Sequence, residues 1–309
     1  MPTTIVTILS TNYAGSHFLS LLLGSHSQAC HIGEVRRAVR GHRGGGEMGL
    51  CHLCNPPSNC PTVRNLDDIK PDDVYSQVLS NLADDGLRPK VLIDTSKRVD
   101  WAGRVMGHAE YQYKYIHLIR DPRAFVRRYL MNCVSLWSRT HLRRQAMFRG
   151  AAIRPYLLFS PQWKICLERW YDKNVEIADF LQRRNCDHQL VTYHDLATDT
   201  AGELSRLTNW MGLAFEPKQV EYWMFDHHGS QKLSYEWIKQ QRTTGHLDVR
   251  WKDFLSPDVA HAIAEHRDVR RLLDRLSLTL GETGLSRKDR VPATRTDERK
   301  PVLPVRKAA

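Results

Sequence analysis

The segment TTIVTILSTNYAGSHFL, residues 3–19, contains the pattern of a strand, a short turn and a helix. The β-branched run Thr3–Leu9 predicts a buried strand, and a helix is predicted over Ser16–Ser25. One face of this helix carries Phe18, Leu19, Leu22 and Leu23. A Gly-containing turn between such elements presents backbone N–H groups at the positive end of the helix dipole. The segment therefore predicts either a phosphate-binding loop or a plain strand-to-helix turn.

The candidate phosphate ligands lie in this turn and in the first residues of the helix. Gly15 would let the backbone approach a ligand, and Ser16 and His17 could add side-chain donors. The loop lacks the G-K-[ST] ending of a Walker A motif, so it offers no lysine for β- and γ-phosphates. The predicted set is Asn12, Tyr13, Ala14, Gly15, Ser16 and His17.

Strand and helix patterns alternate along most of the chain. Further buried strands are predicted at Lys90–Ile93, Lys114–Ile119 and Leu190–Tyr193, each followed by a helical pattern. This alternation predicts an α/β fold with a central parallel sheet and helices on both faces. After the first helix, the predicted helices are Asp72–Asp85, Arg98–Gly107, Pro122–Met147, Gln162–Arg184 and Thr200–Met211.

Arg120 follows the third predicted strand in the stretch IRDPRAF, residues 119–125. Pro122 fixes its own φ and restricts Asp121, so Arg120 would leave the strand end on a rigid turn. Open α/β sheets bind ligands at the carboxyl ends of their strands, and a guanidinium there can fork onto a phosphate. A local ion pair between Arg120 and Asp121 is the competing interpretation.

Together, the first loop and this strand end resemble the 5′-phosphosulfate loop and the 3′-phosphate-binding strand of sulfotransferases that use 3′-phosphoadenosine-5′-phosphosulfate (PAPS). Three further stretches resemble the same family: DTSK at 94–97, VTYHDL at 191–196 and QRTTGHLDVRWK at 241–252. The resemblance spans roughly residues 3–270 and implies the P-loop-like sulfotransferase fold. It also implies PAPS as co-substrate, adenosine 3′,5′-bisphosphate as product, and Arg120 and Arg242 as contacts of the 3′-phosphate.

The stretch CHIGEVRR, residues 30–37, resembles the C-G-E-x-x-R motif of tyrosylprotein sulfotransferases and of bacterial relatives. The resemblance implies that Glu34 is the catalytic base and that Arg37 is an active-site cation. A carboxylate suits this role, because an acceptor hydroxyl has a high pKa and must lose its proton as the new S–O bond forms. A surface Glu34 paired with Arg37 at i,i+3 is the competing interpretation.

Two positions depart from the family pattern. Tyr13 stands where members often carry Arg or Lys before the Ser–Gly of the loop, and Arg128 stands where a serine for the 3′-phosphate is expected. Arg128 could still contact phosphate, although not in the geometry of a serine. Lys97 is therefore the best candidate to stabilise charge on the transferring sulfuryl group.

Cys51, Cys54 and Cys60 lie in a Cys- and His-rich insertion at about residues 41–62. A C-x2-C pair with a third cysteine could bind zinc if one more ligand were present. Small buried cysteines in a loop-rich insertion are the favoured interpretation, so no metal is expected. The pair His227 and His228 lacks metal-ligand spacing and is assigned no role.

Composition and charge limit the remaining possibilities. The 309 residues suit one sulfotransferase domain over residues 1–285, followed by a basic tail at 286–309 that is predicted to be disordered. The formal net charge of +11 favours an anionic partner. The absence of a signal-peptide pattern and of a transmembrane segment, together with an odd number of cysteines, seven, favours a cytoplasmic protein.

The predicted function is transfer of a sulfuryl group from PAPS to the hydroxyl of a carbohydrate, lipid, small molecule or tyrosine. One alternative is a small-molecule kinase, against which the missing Walker lysine argues. The other is a basic nucleic-acid-binding protein, but no nucleic-acid motif accompanies the charge, and no nucleic-acid partner is expected. Both the acceptor and the oligomeric state stay open, because acceptor contacts lie in loops that vary within a fold.

Overall fold

The computed structural model describes residues 2–39, 51, 53, 54, 56, 59–66, 69–132, 135–148, 153–229 and 247–289. A parallel sheet forms its centre, and the strands are β1 (Thr4–Ser10), β2 (Ala29–Gly33), β3 (Val91–Lys97), β4 (Gln112–Ile119) and β5 (His188–Thr192). Their order is β2-β3-β1-β4-β5, and every neighbouring pair is parallel. The predicted α/β class with a parallel sheet is confirmed.

Helices follow or precede each of these strands. The first six are α1 (Ser16–Gly24), α2 (Arg36–Val39), α3 (Val74–Asp84), α4 (Val99–Val105), α5 (Pro122–Asn132) and α6 (Leu136–Met147). The next six are α7 (Gln162–Arg183), α8 (Tyr193–Thr198), α9 (Thr200–Trp210), α10 (Trp251–Phe254), α11 (Pro257–Ala264) and α12 (Arg267–Arg275). Short 3-10 helices form at Pro71–Asp73, Pro155–Leu158 and Pro217–Met224, and a small antiparallel pair joins β6 (Leu278–Leu280) to β7 (Leu285–Arg287).

Successive side chains of β1 point to opposite faces of the sheet. Val6 and Ile8 pack with apolar side chains of α1 and α9 in one core. Ile5 packs with α3 and α4, and Leu9 packs with α4 and α7, on the other face. Helices therefore cover both faces, as the alternation of elements predicted.

Three elements differ from the sequence predictions. β2 has no counterpart among the predicted strands, because ACHIG contains one large aliphatic side chain, Ile32, and shows no clear alternation. Tyr193 begins α8 instead of ending β5, since the Thr192 side chain caps that helix. The single helix predicted over Pro122–Met147 is two helices, and the Ser135 side chain accepts a hydrogen bond from the Ser138 N–H to begin α6.

The described residues continue through residue 289, beyond residue 285, at which the sequence predicts the domain boundary. β7 includes Ser286 and Arg287, which the composition placed in the tail. Arg287 is anchored by ion pairs with the buried carboxylates of Asp195 and Glu203. Residues 290–309 of the predicted tail lie outside the described residues.

Among the described residues, no helix combines the length and the apolar character needed to cross a membrane.

Candidate active site

A cleft of about 920 Å³ opens where the first three strands of the sheet end. Ser10 at the end of β1, Glu34 just after β2, and Lys97 at the end of β3 line one side of it. Side chains of α5, α6 and α7 form the opposite wall. The carboxyl ends of parallel strands are where open α/β sheets bind their ligands, so this cleft is the candidate active site.

Three residues predicted from the sequence meet at the carboxylate of a fourth, Glu34. Lys97 Nζ donates a hydrogen bond to Glu34 Oε1 at 2.6 Å, and Arg37 Nε donates one to Oε2 at 2.5 Å. His17 Nε2 lies 3.3 Å from Oε1. Glu34 is only 5% exposed, so its i,i+3 pair with Arg37 is not the surface pair of the competing interpretation.

These contacts determine the charge state of Glu34. Burial raises the pKa of a carboxylic acid, but the hydrogen bond with His17 and the charges of Lys97 and Arg37 act in the opposite direction. The three partners outweigh burial and hold the pKa of Glu34 far below its ordinary value. The site therefore contains a buried, ionised carboxylate, whose basicity would rise if one of these cations moved to a ligand.

A buried network holds the end of β3 in place. Asp94 accepts hydrogen bonds from Tyr75 Oη at 2.8 Å, Trp101 Nε1 at 2.9 Å and the Ser96 N–H at 2.7 Å. The Ser96 hydroxyl also donates to Asp94, and it accepts a hydrogen bond from the backbone N–H of Arg36 at 3.2 Å. The network thus ties the strand end that precedes Lys97 to the helix that carries Arg37.

The backbone at this edge adopts conformations that are uncommon for side chains other than glycine. Lys97 has φ 64° and Tyr13 has φ 63°, both in the left-handed region. Such positions cost about 1–3 kcal/mol each and persist where the surroundings over-determine them, which is common at functional sites. Here they turn Lys97 at the end of β3 toward Glu34 and shape the loop after β1.

Gly15 closes that loop just before α1, with φ 98°. A Cβ atom at this position would lie 2.6 Å from Cδ2 of the Tyr193 ring. The Tyr193 ring in turn lies under the Arg120 guanidinium, whose carbon is 4.4 Å from the ring centroid. Both the backbone conformation and the close contact therefore require glycine here.

We expect Gly15→Ala to destabilise the protein more than Gly86→Ala does. Gly86 also has a positive φ, 77°, but nothing lies within 4 Å of its would-be Cβ, so it is a matched control. The backbone cost of about 1 kcal/mol is shared, and the contact with Tyr193 should add roughly 1–3 kcal/mol for Gly15→Ala. Urea unfolding of the two variants measures the difference, and equal losses would show that Tyr193 does not constrain the loop.

Arg120 is anchored at the base of the loop. Its Nη1 donates to the Tyr13 carbonyl oxygen at 2.7 Å, and its Nη2 donates to Asp248 Oδ2 at 2.6 Å. The predicted competing ion pair with Asp121 is not what the structure contains, since Asp121 pairs with Arg123 instead. Arg120 therefore joins the first loop to the chain segment just before α10.

The remaining predicted ligands are placed as follows. Asn12 lines the cleft, and its Nδ2 lies 3.5 Å from the hydroxyl of Tyr129 on α5. Arg128 is exposed, with its guanidinium carbon 5.2 Å from the centroid of the Tyr13 ring, so it flanks the loop. Ala14 and Ser16 are buried within the loop and the first turn of α1. Arg242 lies outside the described residues.

Two residues of this edge were not predicted as site residues, Tyr193 and Asp248. Both occur in stretches that carry the family resemblance, so their positions within these motifs could have indicated that they belong to the site. Their contacts with Gly15 and Arg120 join segments far apart in the chain, and spacing in the sequence carries no information about such contacts.

The cleft walls are predominantly cationic. Seven of the lining side chains are Lys or Arg and two are Glu, counting Arg36, Arg37, Lys97, Arg98, Arg144, Arg169, Lys173, Glu34 and Glu176. A concave surface of one sign concentrates ligands of the opposite sign. The cleft therefore suits an anionic ligand.

Comparison with solved structures identifies the architecture. A sulfotransferase domain from the curacin biosynthetic pathway superposes with a TM-score of 0.58 and 18% sequence identity, over 90% of this chain and 98% of that domain. The chain has the sulfotransferase fold. Two further similar structures are the sulfotransferase domain of the Synechococcus PCC 7002 olefin synthase and a sulfotransferase from Alicyclobacillus acidocaldarius.

The olefin synthase domain has a TM-score of 0.46 and 17% identity, over 91% of this chain and 96% of that domain. The Alicyclobacillus enzyme has a TM-score of 0.46 and 14% identity, over 89% of this chain and 96% of that enzyme. No family model and no curated protein sequence matches the chain. The superposition on the curacin pathway domain, with a TM-score of 0.58, shows the sulfotransferase fold.

Proposed function

We propose that this protein transfers a sulfuryl group from PAPS to a hydroxyl group of an acceptor. The observation that carries the proposal is the contact of Glu34 with Lys97, Arg37 and His17 in the cleft at the carboxyl edge of the sheet. A carboxylate and a lysine in contact supply a proton acceptor and a cation for the transferring group. The sulfotransferase fold agrees with this chemistry.

In the proposed reaction, the acceptor oxygen attacks the sulfur atom of PAPS. A new S–O bond forms as the bond between sulfur and the bridging oxygen of the 5′-phosphate breaks, and adenosine 3′,5′-bisphosphate leaves. Glu34 takes the proton of the acceptor hydroxyl. Lys97 exchanges its contact with Glu34 for the sulfuryl oxygens, where negative charge must be stabilised. Positioning and charge stabilisation then account for most of the acceleration.

The donor nucleotide is proposed to lie along the loop Asn12–His17, with its 3′-phosphate at Arg120. The Arg120 side chain is 12% exposed, and its guanidinium already donates hydrogen bonds to the Tyr13 carbonyl and the Asp248 carboxylate. A phosphate group would replace Asp248 as its anionic partner, because both are oxygen anions that accept the same N–H donors. Asp248 keeps a second cation, Arg250, when Arg120 is taken.

We expect adenosine 3′,5′-bisphosphate to raise the melting temperature much more than ATP at the same concentration. A ligand present at a hundredfold excess over its Kd stabilises the native state by about 2.7 kcal/mol. Arg120→Ala should remove most of this selective shift, because the variant lacks the guanidinium proposed to bind the 3′-phosphate. Differential scanning fluorimetry with the two nucleotides measures the effect.

Asp248→Asn is the matched control for this experiment. It removes the negative charge of the Arg120–Asp248 ion pair and leaves the Arg120 guanidinium in place. If Arg120 binds the 3′-phosphate, Asp248→Asn should keep or increase the selective shift while Arg120→Ala abolishes it. Equal loss in both variants would mean that the ion pair matters only for the fold, and equal shifts by both nucleotides would contradict the 3′-phosphate assignment.

A further inference from the structure

Three thiols and one imidazole converge beside the candidate active site. Cys51, Cys54 and Cys60 come from the insertion, and His228 comes from the segment that follows the last 3-10 helix. One ligand atom from each residue can be chosen so that all four lie within 4.8 Å of one another. Cys54 Sγ is 3.3 Å and Cys60 Sγ is 3.8 Å from His228 Nδ1.

The two Sγ–Nδ1 distances lie on either side of the value expected around a tetrahedral zinc ion. With Zn–S bonds of about 2.3 Å and Zn–N bonds of about 2.0–2.1 Å, sulfur and nitrogen ligands lie roughly 3.6 Å apart and two sulfurs roughly 3.7 Å apart. Three thiolates and one imidazole are also a ligand set typical of zinc. We infer that Cys51, Cys54, Cys60 and His228 form a structural Zn²⁺ site.

The surroundings of the sulfur atoms are those expected for thiolate ligands. The backbone N–H of Leu53 donates to Cys51 Sγ at 3.4 Å, and Thr62 Oγ1 lies 3.1 Å from Cys60 Sγ. Groups that hydrogen-bond a metal ligand orient it and tune its affinity for the metal. The six described cysteines are free thiols, so no disulfide among them competes for these ligands.

The sequence alone predicts no metal here, because the three cysteines need a fourth ligand that their spacing does not supply. Cys60 and His228 are separated by 168 positions in the chain, and no spacing rule connects residues so far apart. His228 completes the set only after the chain has folded. Since the protein supplies all four ligands and Cys51 and Cys60 are buried, the site is closed and structural instead of catalytic.

The metal site adjoins the elements that carry the candidate catalytic groups. Gly229, next to His228, packs against β2: a Cβ atom there would lie 2.8 Å from the carbonyl carbon of Ile32 and 2.9 Å from the nitrogen of Gly33. Ala38 of α2 packs against the small buried cluster that contains Cys51 and Cys60. The zinc ion would thus join two distant chain segments against β2 and α2, on either side of Glu34.

The direct test is the metal content of the full-length protein, purified without chelators. Elemental analysis by mass spectrometry should find about one zinc ion per chain, as a four-ligand structural site requires. Cys54→Ser and His228→Ala should lower this content at least several-fold. His228→Cys should retain zinc, because four thiolates also form a tetrahedral site. Cys186→Ser is the matched control, since this half-buried thiol lies outside the cluster and should leave the content unchanged.

A second measurement uses only the unmodified protein, in case a variant does not fold. Cys51, Cys54 and Cys60 should resist alkylation until a strong chelator is added, whereas Cys186 should react at the same rate before and after. Cobalt added to the chelator-treated protein should give the thiolate charge-transfer and d–d absorption of tetrahedral Co²⁺. The inference would be overturned if the protein contained no stoichiometric zinc and its cluster thiols reacted without chelator. It would also be overturned if Cys54→Ser still contained one equivalent of zinc. Adenosine 3′,5′-bisphosphate binding is measured separately, so failure of the zinc site and failure of the proposed function are distinguishable.

Discussion

Glu34→Gln is expected to lower kcat by ~10²–10⁴-fold while the melting-temperature shift given by adenosine 3′,5′-bisphosphate persists. The substitution keeps the shape of the side chain and removes its ability to accept a proton. Either Lys97 or Arg37 can still donate to the amide oxygen, whereas the amide NH2 takes the place of the oxygen that accepts from the other cation. Turnover is measured with PAPS and an acceptor found by screening hydroxyl compounds for transfer of labelled sulfate.

Glu176→Gln is the matched control for this substitution. Glu176 lines the same cleft and pairs with Lys173, so it tests whether loss of any carboxylate from the cleft slows the reaction. Near-full turnover in Glu34→Gln would place the base elsewhere, with His17, 3.3 Å from Glu34 Oε1, as the next candidate and His31 after it. Loss of nucleotide binding in Glu34→Gln would mean that Glu34 serves only as a structural partner of the cations.

The pH profile gives a second reading of the same base. The folded-state pKa of Glu34 lies below its ordinary value of 4.5, so the carboxylate stays ionised at mildly acidic pH. Turnover limited by this base should hold from neutrality down to about pH 5. The lowered pKa also stabilises the folded protein at pH values above the ordinary pKa of the glutamate. This stabilisation is lost as the pH falls through the folded-state pKa.

The sheet could be predicted from the sequence where its strands are long and apolar. β1, β3 and β4 are predicted from the runs TTIVTIL, KVLI and KYIHLI, because strands buried in a parallel sheet consist of nearly continuous apolar residues. β2 is five residues long with one large aliphatic side chain, so neither length nor periodicity distinguishes it from a loop. Its position at the sheet edge depends on pairing with β3, which is a tertiary interaction.

The candidate site could be predicted only in part, for a related reason. Resemblance to short motifs placed Glu34, Arg37 and Lys97 as one group, and the structure brings them into contact. The partners that complete the site are distant in sequence: Asp248 lies 128 positions from Arg120. Such contacts follow from the order of the strands and the packing of helices, which local patterns do not encode.

Lys97→Met should lower kcat by roughly 10²–10³-fold with little loss of nucleotide binding. Methionine keeps an unbranched side chain that is one atom shorter, and it removes the charge proposed to stabilise the sulfuryl oxygens in the transition state. Lys173→Met is the matched control, because Lys173 lines the same cleft but pairs with Glu176. An equal loss in both variants would mean that only the overall positive charge of the cleft matters.

Lys97→Met should also change the pH profile, and this separates a specific role from a general one. Lys97 is one of the groups that hold the pKa of Glu34 down, through both its hydrogen bond and its charge. Without it, burial of Glu34 is opposed by His17 and Arg37 alone, so the pKa of the carboxylate should rise. The acidic limb of the remaining activity should therefore move to higher pH in Lys97→Met and stay in place in Lys173→Met. If kcat falls and the acidic limb stays in place, Lys97 acts on the substrate without influencing Glu34. If the acidic limb moves and kcat is unchanged, Lys97 acts only on Glu34.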